Sequence, residues 1–160
     1  MPYAMKTELI QVGRTVSKHF QAAIDDYTVR IGHYMPFSVT TIPELRNTKN
    51  LTEQQQKQAE GELIMKQLQQ QDTVVLLDEH GVEMRSVDFA AWLERKRLSA
   101  RRLVFVIGGP YGFAPALYER ADEKISLSRL TFSHQMVRLV FAEQLYRACT
   151  IIKGEPYHHE

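Results

Sequence analysis

The stretch TVVLLD at residues 73–78 decides the fold class of this chain. Its first five residues are apolar or β-branched in succession, and such a run is typical of a strand that is covered on both faces of a sheet. A second run of this kind, LVFVI, occupies residues 103–107. Because strands buried on both faces are characteristic of parallel sheets, the two runs predict an α/β fold.

Strand and helix patterns alternate five times along the chain, which predicts a mainly parallel sheet flanked by helices. No internal repeat or linker divides the sequence, so we expect one domain over residues 1–160. A turn is predicted at His80-Gly81. The predicted strands are Glu8–Val12, Phe37–Ile42, Thr73–Asp78, Leu103–Ile107 and Lys124–Ser128. The predicted helices run from a cap at Ser17 to Gly32, from Thr52 to about Gln70, from a cap at Ser86 onward, over Pro115–Arg120 and from about His134 to Ile152.

The composition is that of a soluble globular protein. Hydrophobic residues make up 44% of the sequence and charged residues 24%, which is ordinary for such a domain. Twenty basic and nineteen acidic residues leave a net charge of +1, so the overall charge does not attract nucleic acid. No apolar run approaches the roughly 18 residues of a membrane span, and no secretory signal opens the chain. We expect a cytoplasmic protein with no membrane partner, in which residues 1–4 are disordered.

The one cysteine, Cys149, excludes an intramolecular disulfide and fits a reducing compartment. It shares a helical pattern with Leu145, Ala148 and Ile152. A free cysteine in such a pattern behaves as a small hydrophobic residue, so core packing is favoured over a role as nucleophile.

Three predicted strand ends carry candidate ligand-binding residues: Leu77-Asp78, Gly108–Gly112 and Ser128–Ser133. In an open α/β sheet, ligands bind beyond the carboxyl ends of the strands. The glycine-rich sequence IGGPYGFAP matches neither G-x-x-x-x-G-K-[ST] nor G-x-G-x-x-G, so a phosphate cradle is not predicted. Glycines at this place would let a ligand approach the backbone, and a tight structural turn is the alternative interpretation.

Sequence motifs for nucleophilic or metal chemistry do not occur: CxxC, HExxH and GxSxG are all missing, and no metal site is expected. Ser133 and His134 are chain neighbours, a poor geometry for a nucleophile and its base, so a helix cap is favoured there. The excess of basic residues over 85–102 could contact the phosphates of a nucleic acid, although a solvated helix face is the more usual explanation. The residues by themselves predict an α/β protein with a ligand site at three strand ends.

Several longer motifs, taken together and in order, resemble one known family. They are FVIGGPYGF at residues 105–113, SLSRLTFSHQMVRLVFAEQLYRA at 126–148 and KGEPYHH at 153–159. The likeness extends to IQVGR in the first strand and to TVVLLDEHG, so it covers nearly the whole chain. The sequence thus resembles the RlmH-type pseudouridine methyltransferases of large-subunit ribosomal RNA, which belong to the SPOUT superfamily of trefoil-knotted enzymes.

The resemblance implies an enzyme that uses S-adenosylmethionine to methylate N3 of a pseudouridine in a stem-loop of 23S rRNA. It also implies a homodimer and a C-terminal trefoil knot that holds the cofactor. The matching cofactor contacts fall on the three strand ends selected above. The implied cofactor-binding residues are Leu77, Gly108, Leu127, Ser128, Arg129, Leu130, Thr131 and Phe132.

Direct in-line methyl transfer requires that the base be oriented and that its N3 proton be removed. Four residues are candidates for these catalytic tasks: His134, Arg138, Tyr157 and His158. Histidine ordinarily titrates near neutral pH, so His158 is favoured as the proton acceptor.

The last eight residues, 153–160, are expected to form a mobile tail that closes over the site, within one chain or across the dimer. The family usually ends Tyr-His-Lys or Tyr-His-Arg, whereas this chain has His159 and Glu160. The tail should therefore contribute less to RNA affinity than in other members. With a near-neutral net charge as well, we expect the acceptor to be an assembled large subunit or 70S ribosome, whose shape adds to recognition.

Three other functions fit parts of the sequence. A non-catalytic RNA-binding module would use the same fold without binding S-adenosylmethionine. A flavodoxin-like nucleotide binder would need a phosphate loop after the first strand, where Gly13 is the only glycine. A SPOUT enzyme acting on transfer RNA is the closest competitor, but the short chain without an added RNA-binding domain, and the pair Tyr157-His158, favour the ribosomal substrate.

Overall fold

A computed structural model describes residues 5–159, and within that range five strands alternate with five α-helices. The predicted disorder of residues 1–4 lies outside the described residues. The strands are β1 (Lys6–Val12), β2 (Phe37–Ile42), β3 (Thr73–Glu83), β4 (Arg102–Ile107) and β5 (Glu123–Ser126). The helices are α1 (Lys18–Gly32), α2 (Glu53–Met65), α3 (Ser86–Ser99), α4 (Pro115–Arg120) and α5 (Met136–Lys153), and a 3-10 turn covers Thr48–Asn50.

The strands form one sheet in the order β2-β1-β4-β3-β5, and every neighbouring pair is parallel. The predicted α/β fold with a parallel sheet is therefore confirmed. The run Leu103–Val106 in β4 is fully buried, because β4 lies in the middle of the sheet and helices cover both of its faces.

Helices cover the two faces of the sheet in separate groups. On one face, Phe105 of β4 packs with residues of α1, α3 and α5, including Phe141. On the other face, Val104 and Val106 pack with Ile64 of α2 and Leu117 of α4. Successive β4 side chains alternate between the two cores because residues of a strand point to opposite faces in turn. The carboxyl ends of the strands stay open between the two helix layers.

The predicted end of β3 at Asp78 is wrong, because the strand continues to Glu83. The predicted turn at His80-Gly81 falls in a bulge of this strand, since Leu77 and Val82 both pair with Ile125 of β5 and residues 78–81 between them have no partner there. The backbone N–H of His80 donates to Oδ1 of Asp78 (3.0 Å). The side chain of Asp78 therefore supplies a hydrogen-bond acceptor within this irregular segment.

Helix ends also differ from the prediction. Helix α2 ends at Met65, before the expected Gln70. The N-cap of α3 is Arg85, and the hydroxyl of Ser86 instead donates to Oε1 of Gln144 on α5 (3.1 Å). In this case a tertiary contact competes with the local cap.

The structure confirms two local capping predictions. The hydroxyl of Ser17 accepts a hydrogen bond from the backbone of Phe20 (3.3 Å) at the start of α1. Thr52 and Gln55 form the capping box at the start of α2.

Candidate functional site

A cavity of about 750 Å³ lies beyond the carboxyl ends of β4 and β5 and beside the bulge in β3. Its walls come from the register shift of β3, from the glycine-rich segment after β4 and from the segment between β5 and α5. Cavities of this size at the open edge of an α/β sheet are the usual ligand sites of such folds. The lining includes these residues singled out from the sequence: Leu77, Gly108, Leu127, Ser128, Leu130, Thr131, Phe132 and His134.

Gly108 is the first glycine of the segment after β4, and its surroundings leave little room for a side chain. A Cβ at this position would lie 3.1 Å from Cε1 of Phe113 and 3.2 Å from the carbonyl oxygen of Gly112. The backbone N–H of Gly112 donates to the carbonyl of Gly109 (3.1 Å), which closes a tight turn. Both interpretations of this segment therefore hold together: the turn is structural, and it presents bare backbone to the cavity.

The segment between β5 and α5 is held by short-range hydrogen bonds. The hydroxyl of Ser126 donates to the carbonyl of Ser128 (3.0 Å), and the hydroxyl of Ser128 accepts from the backbone of Leu130 (2.9 Å). Leu130 is 76% exposed at the cavity. Arg129 is absent from the cavity lining; its side chain forms an exposed ion pair with Glu83 (2.7 Å).

Ser133 ends this segment with a cap. Its hydroxyl accepts a hydrogen bond from the backbone of Met136 (3.0 Å), the first residue of α5. The hydroxyl therefore satisfies a backbone N–H at the start of α5, as the capping interpretation expected, although the N-cap residue of the helix is Gln135. His134 follows at the cavity wall.

Tyr118 and Asp78 form a polar pair in the cavity that the sequence patterns did not single out as a pair. The Tyr118 hydroxyl donates to Oδ2 of Asp78 at 2.5 Å. Burial raises the pKa of Tyr118 to about 12, and the hydrogen bond to Asp78 adds to the effect. The phenol therefore stays protonated at neutral pH and acts as a donor. No local signal marks this pairing, because the two residues are 40 positions apart on β3 and α4.

Acidic residues outnumber permanent cations around the cavity. Glu53, Asp78 and Glu79 line it. Within residues 5–159, Lys57 is the one lysine or arginine that does so. Lys57 comes from α2, which the sequence patterns had not connected with the strand ends. The formal charge of the walls is therefore negative, which favours a positively charged ligand.

A further acidic residue, Glu60, lies behind the glycine-rich wall. It is 4% exposed, and its Oε1 has no hydrogen-bond partner within residues 5–159. A Cβ added to Gly109 would lie 2.5 Å from that oxygen. Only a glycine leaves room for the carboxyl group at this point of the wall.

Arg138 does not reach the cavity lining. Its side chain is 1% exposed and extends from α5 to the end of β1. There Nη2 donates to the carbonyl of Val12 (2.6 Å) and Nη1 to the hydroxyl of Thr15 (3.0 Å). These contacts connect the helix to the loop after β1.

Tyr157 lies outside the lining of the cavity and packs against α1 and α5. Its ring meets that of Tyr146 edge to face, with centroids 4.7 Å apart, and its hydroxyl donates to Oε1 of Glu143 (3.1 Å). Burial raises the pKa of Tyr157, and its hydroxyl contacts with Tyr27 and Glu143 add to the effect.

His158 follows α5 and packs back against it, outside the cavity lining. Its Nδ1 is 3.0 Å from Nη1 of Arg147, and Arg147 is paired with Glu143. Within one chain, the structure thus brings His134 to the cavity and leaves Arg138, Tyr157 and His158 elsewhere.

Other candidate chemistry is absent from the part of the chain that the structure describes. Cys149 is buried in the core, as predicted, and burial raises the pKa of its thiol to about 11. No group of three His, Cys, Asp or Glu side chains within residues 5–159 is placed to hold a metal ion. None of the helices in that range has the length and apolar character to cross a membrane.

Three of the six basic residues over 85–102 form ion pairs with acidic residues. Lys96 pairs with Glu123, and Arg97 pairs with Glu94 (3.4 Å). Arg102 bridges two carboxylates and is only partly exposed. These contacts favour the structural explanation of the basic excess.

Comparison with known proteins gives one consistent result. A family model described as "Predicted SPOUT methyltransferase" matches residues 5–158. A protein of Bacteroides fragilis named "Ribosomal RNA large subunit methyltransferase H" is 62% identical over 157 residues, which are 98% of this chain and 100% of the relative. Proteins of the same name from Bacteroides thetaiotaomicron and Flavobacterium johnsoniae are 59% and 52% identical over the same shares. The chain belongs to the SPOUT methyltransferase family.

Proposed function

We propose that this protein transfers a methyl group from S-adenosylmethionine to N3 of a pseudouridine in a stem-loop of 23S rRNA. It acts in the cytoplasm as a homodimer of a single SPOUT domain with a C-terminal trefoil knot. One observation carries the proposal: in a chain of this family, the cavity is lined by seven of the eight residues selected for cofactor binding.

The walls of the cavity fit S-adenosylmethionine. Gly108 offers backbone where a Cβ would already lie 3.1 Å from Cε1 of Phe113. Three acidic residues face one lysine, and this balance suits a ligand whose sulfonium and ammonium outnumber its carboxylate. The buried carboxyl of Glu60, whose Oε1 has no partner within residues 5–159, is a further acidic group beside Gly109 in the wall. Leu77, Gly108 and the segment 127–132 would hold the cofactor.

When bound, S-adenosylmethionine supplies an electrophilic methyl group on a positively charged sulfur. The protein then has to orient the pseudouridine, exclude water from the cavity and accept the N3 proton. His134 lies at the cavity wall, where it can orient the base. His158 is the proposed proton acceptor, and Tyr157 donates a hydrogen bond to the substrate from the same tail.

The position of the tail favours a site completed by two protomers. Val137 of α5 lines the cavity, whereas Arg147, which contacts His158, is ten residues further along the helix. Ten residues of α-helix span about 15 Å, and a general base must come within hydrogen-bond reach of its proton. We therefore propose that the tail of one protomer serves the cavity of its partner.

The proposed RNA substrate rests on the relatives, whose printed name specifies ribosomal RNA of the large subunit. The chain carries a net charge of only +1, so phosphate contacts alone would give modest affinity for naked RNA. Recognition of an assembled large subunit or 70S ribosome by shape would supply the rest.

The test is a methyl-transfer assay with radiolabelled S-adenosylmethionine. Acceptors are 70S ribosomes, free large subunits, naked 23S rRNA and transfer RNA, the ribosomal acceptors containing the pseudouridine without its methyl group. We expect label in a single ribosomal nucleotide, with an assembled particle preferred. The matched control is a particle with uridine in place of the pseudouridine at the labelled nucleotide, which should stay unlabelled.

The outcomes separate the alternatives. Label in transfer RNA alone would retain the methyltransferase and replace the substrate. Calorimetric binding of S-adenosylmethionine with every acceptor unlabelled would likewise reject the proposed substrate. RNA binding without any cofactor binding would reject the enzyme in favour of an RNA-binding module.

A further inference from the structure

Glu60 is a buried acid without a compensating charge. It lies in α2, is 4% exposed, and its Oε1 has no hydrogen-bond partner among residues 5–159. Buried polar groups in folded proteins are nearly always paired. Gln56 gives the carboxyl group one hydrogen bond, but a buried carboxylate oxygen left without a partner still costs stability, so Oε1 requires an explanation.

The fold holds Glu60 against the cavity wall. The neighbouring Gly61 packs on Ala114 at the start of α4, since a Cβ on Gly61 would lie 2.9 Å from that methyl group. This contact leaves α2 little freedom to withdraw. The carboxyl group of Glu60 lies beside Gly109, since a Cβ on Gly109 would be 2.5 Å from its Oε1. Gly109 lines the cavity and Glu60 does not, so the carboxyl lies next to the wall without entering the ligand space.

The surroundings of Glu60 contain no cation that compensates its negative charge within residues 5–159. Burial raises its pKa, the nearby Gln56 amide opposes this in part, and the negative charge of Glu44 adds to the rise. No lysine or arginine forms an ion pair with Glu60 within residues 5–159. A positive charge arriving in the cavity would be the missing compensation.

We propose that Glu60 is a specificity-determining residue of the cofactor site, whose buried negative charge acts across Gly109 to favour the sulfonium cofactor over its thioether product. The inference rests on the proposed function. S-Adenosylmethionine carries one more positive charge than S-adenosylhomocysteine, and the two are otherwise alike in their charged groups. Charge interactions are stronger in a poorly solvated site than in water, so Glu60 would help the product to leave.

The alternative is that Glu60 only shapes the glycine-rich wall. A wall that is merely misshapen would bind both ligands less well, because both contain the same adenosine and amino-acid parts. A lost charge acts mainly on the ligand with the additional positive charge. The ratio of the two affinities therefore separates the explanations.

The experiment measures the Kd of both ligands by calorimetry for wild type and for Glu60→Gln, which removes the charge and keeps the shape. We expect the Kd for S-adenosylmethionine to rise about tenfold, as one charge interaction in a partly solvated site would give. The Kd for S-adenosylhomocysteine should rise by less than about threefold. The exposed Glu62 on the same helix gives the matched control, Glu62→Gln, which should leave both values unchanged.

A second variant keeps the test independent of packing. Glu60→Asp retains the charge and shortens the side chain, so it should preserve the wild-type ratio even if both affinities fall. Equal losses for the two ligands in Glu60→Gln, or no loss in either, would overturn the inference while leaving the proposed function intact. Failure of the wild-type protein to bind either ligand would overturn both.

Discussion

Replacement of Arg138 would show whether this residue serves the fold or the reaction. The sequence made Arg138 a catalytic candidate, yet its guanidinium is buried and bonded to the carbonyl of Val12 and the hydroxyl of Thr15. These two bonds fix α5 to the loop that follows β1. We therefore expect the main effect of losing Arg138 to be on stability.

The size of the effect follows from those contacts. A hydrogen bond from a charged donor contributes about 1.5–3 kcal/mol, and a buried acceptor left unpaired costs about 1–3 kcal/mol. Removal of the charge partly offsets this loss of stability, because burial disfavours the charged guanidinium and lowers the pKa of Arg138. We expect Arg138→Ala to lower the free energy of unfolding by about 3–5 kcal/mol. For a chain of this size, Tm should fall by about 6–20 °C.

Equilibrium unfolding in urea, followed by circular dichroism, measures the change. Arg14→Ala is the matched control, since the Arg14 side chain is exposed and forms no hydrogen bond or ion pair within residues 5–159. It should change the free energy by less than about 0.5 kcal/mol. If Arg138→Ala stays within about 1 kcal/mol of wild type and still loses methyl transfer, the structural role is wrong and Arg138 takes part in the reaction.

Two further substitutions test the remaining chemical candidates. His158→Ala should lower kcat by about a hundredfold or more through loss of the proton acceptor while leaving the Kd for S-adenosylmethionine unchanged; the neighbouring His159→Ala is the control, and unchanged turnover in His158→Ala would remove that residue from the mechanism. Cys149→Ala should retain methyl transfer. Because the thiol pKa is about 11, alkylation of the native wild-type protein should be slow at pH 8 and should accelerate about tenfold per pH unit up to pH 10. Rapid alkylation at pH 7 would contradict the buried, protonated thiol.

Local sequence patterns were sufficient for the sheet and for the segments that meet at the cavity, but they placed the end of β3 at Asp78 whereas the strand continues to Glu83. TVVLLD and LVFVI have no polar face, so only a strand covered on both sides accommodates them. Their carboxyl ends then had to meet at one edge of a parallel sheet. That reasoning predicts that Leu77 and Gly108 lie near each other, and both residues line the same cavity.

The residues that patterns could not find are those whose role depends on a distant partner. Glu60 belongs to a polar helix, and its sequence neighbours give no sign that it is buried. Its position follows from α2 packing on α4 and from Gly109 leaving room for a carboxyl group. Arg138 is a similar case. An arginine at a helix start suggests a ligand contact, whereas its bonds go to the end of β1, more than 120 residues earlier.

The docked tail bears directly on the choice between one protomer and two at the site. For the tail to serve its own cavity, Tyr157 would have to leave Glu143, His158 would have to leave Arg147, and Glu155 would lose the Tyr34 hydroxyl at 2.6 Å. At about 0.5–1.5 kcal/mol for each of the three contacts, release costs about 1.5–4.5 kcal/mol. Such a cost would leave fewer than about one tail in ten free. A partner protomer that presents its tail in the docked position avoids this cost entirely, so the docked tail favours a site shared by two protomers over closure within one chain.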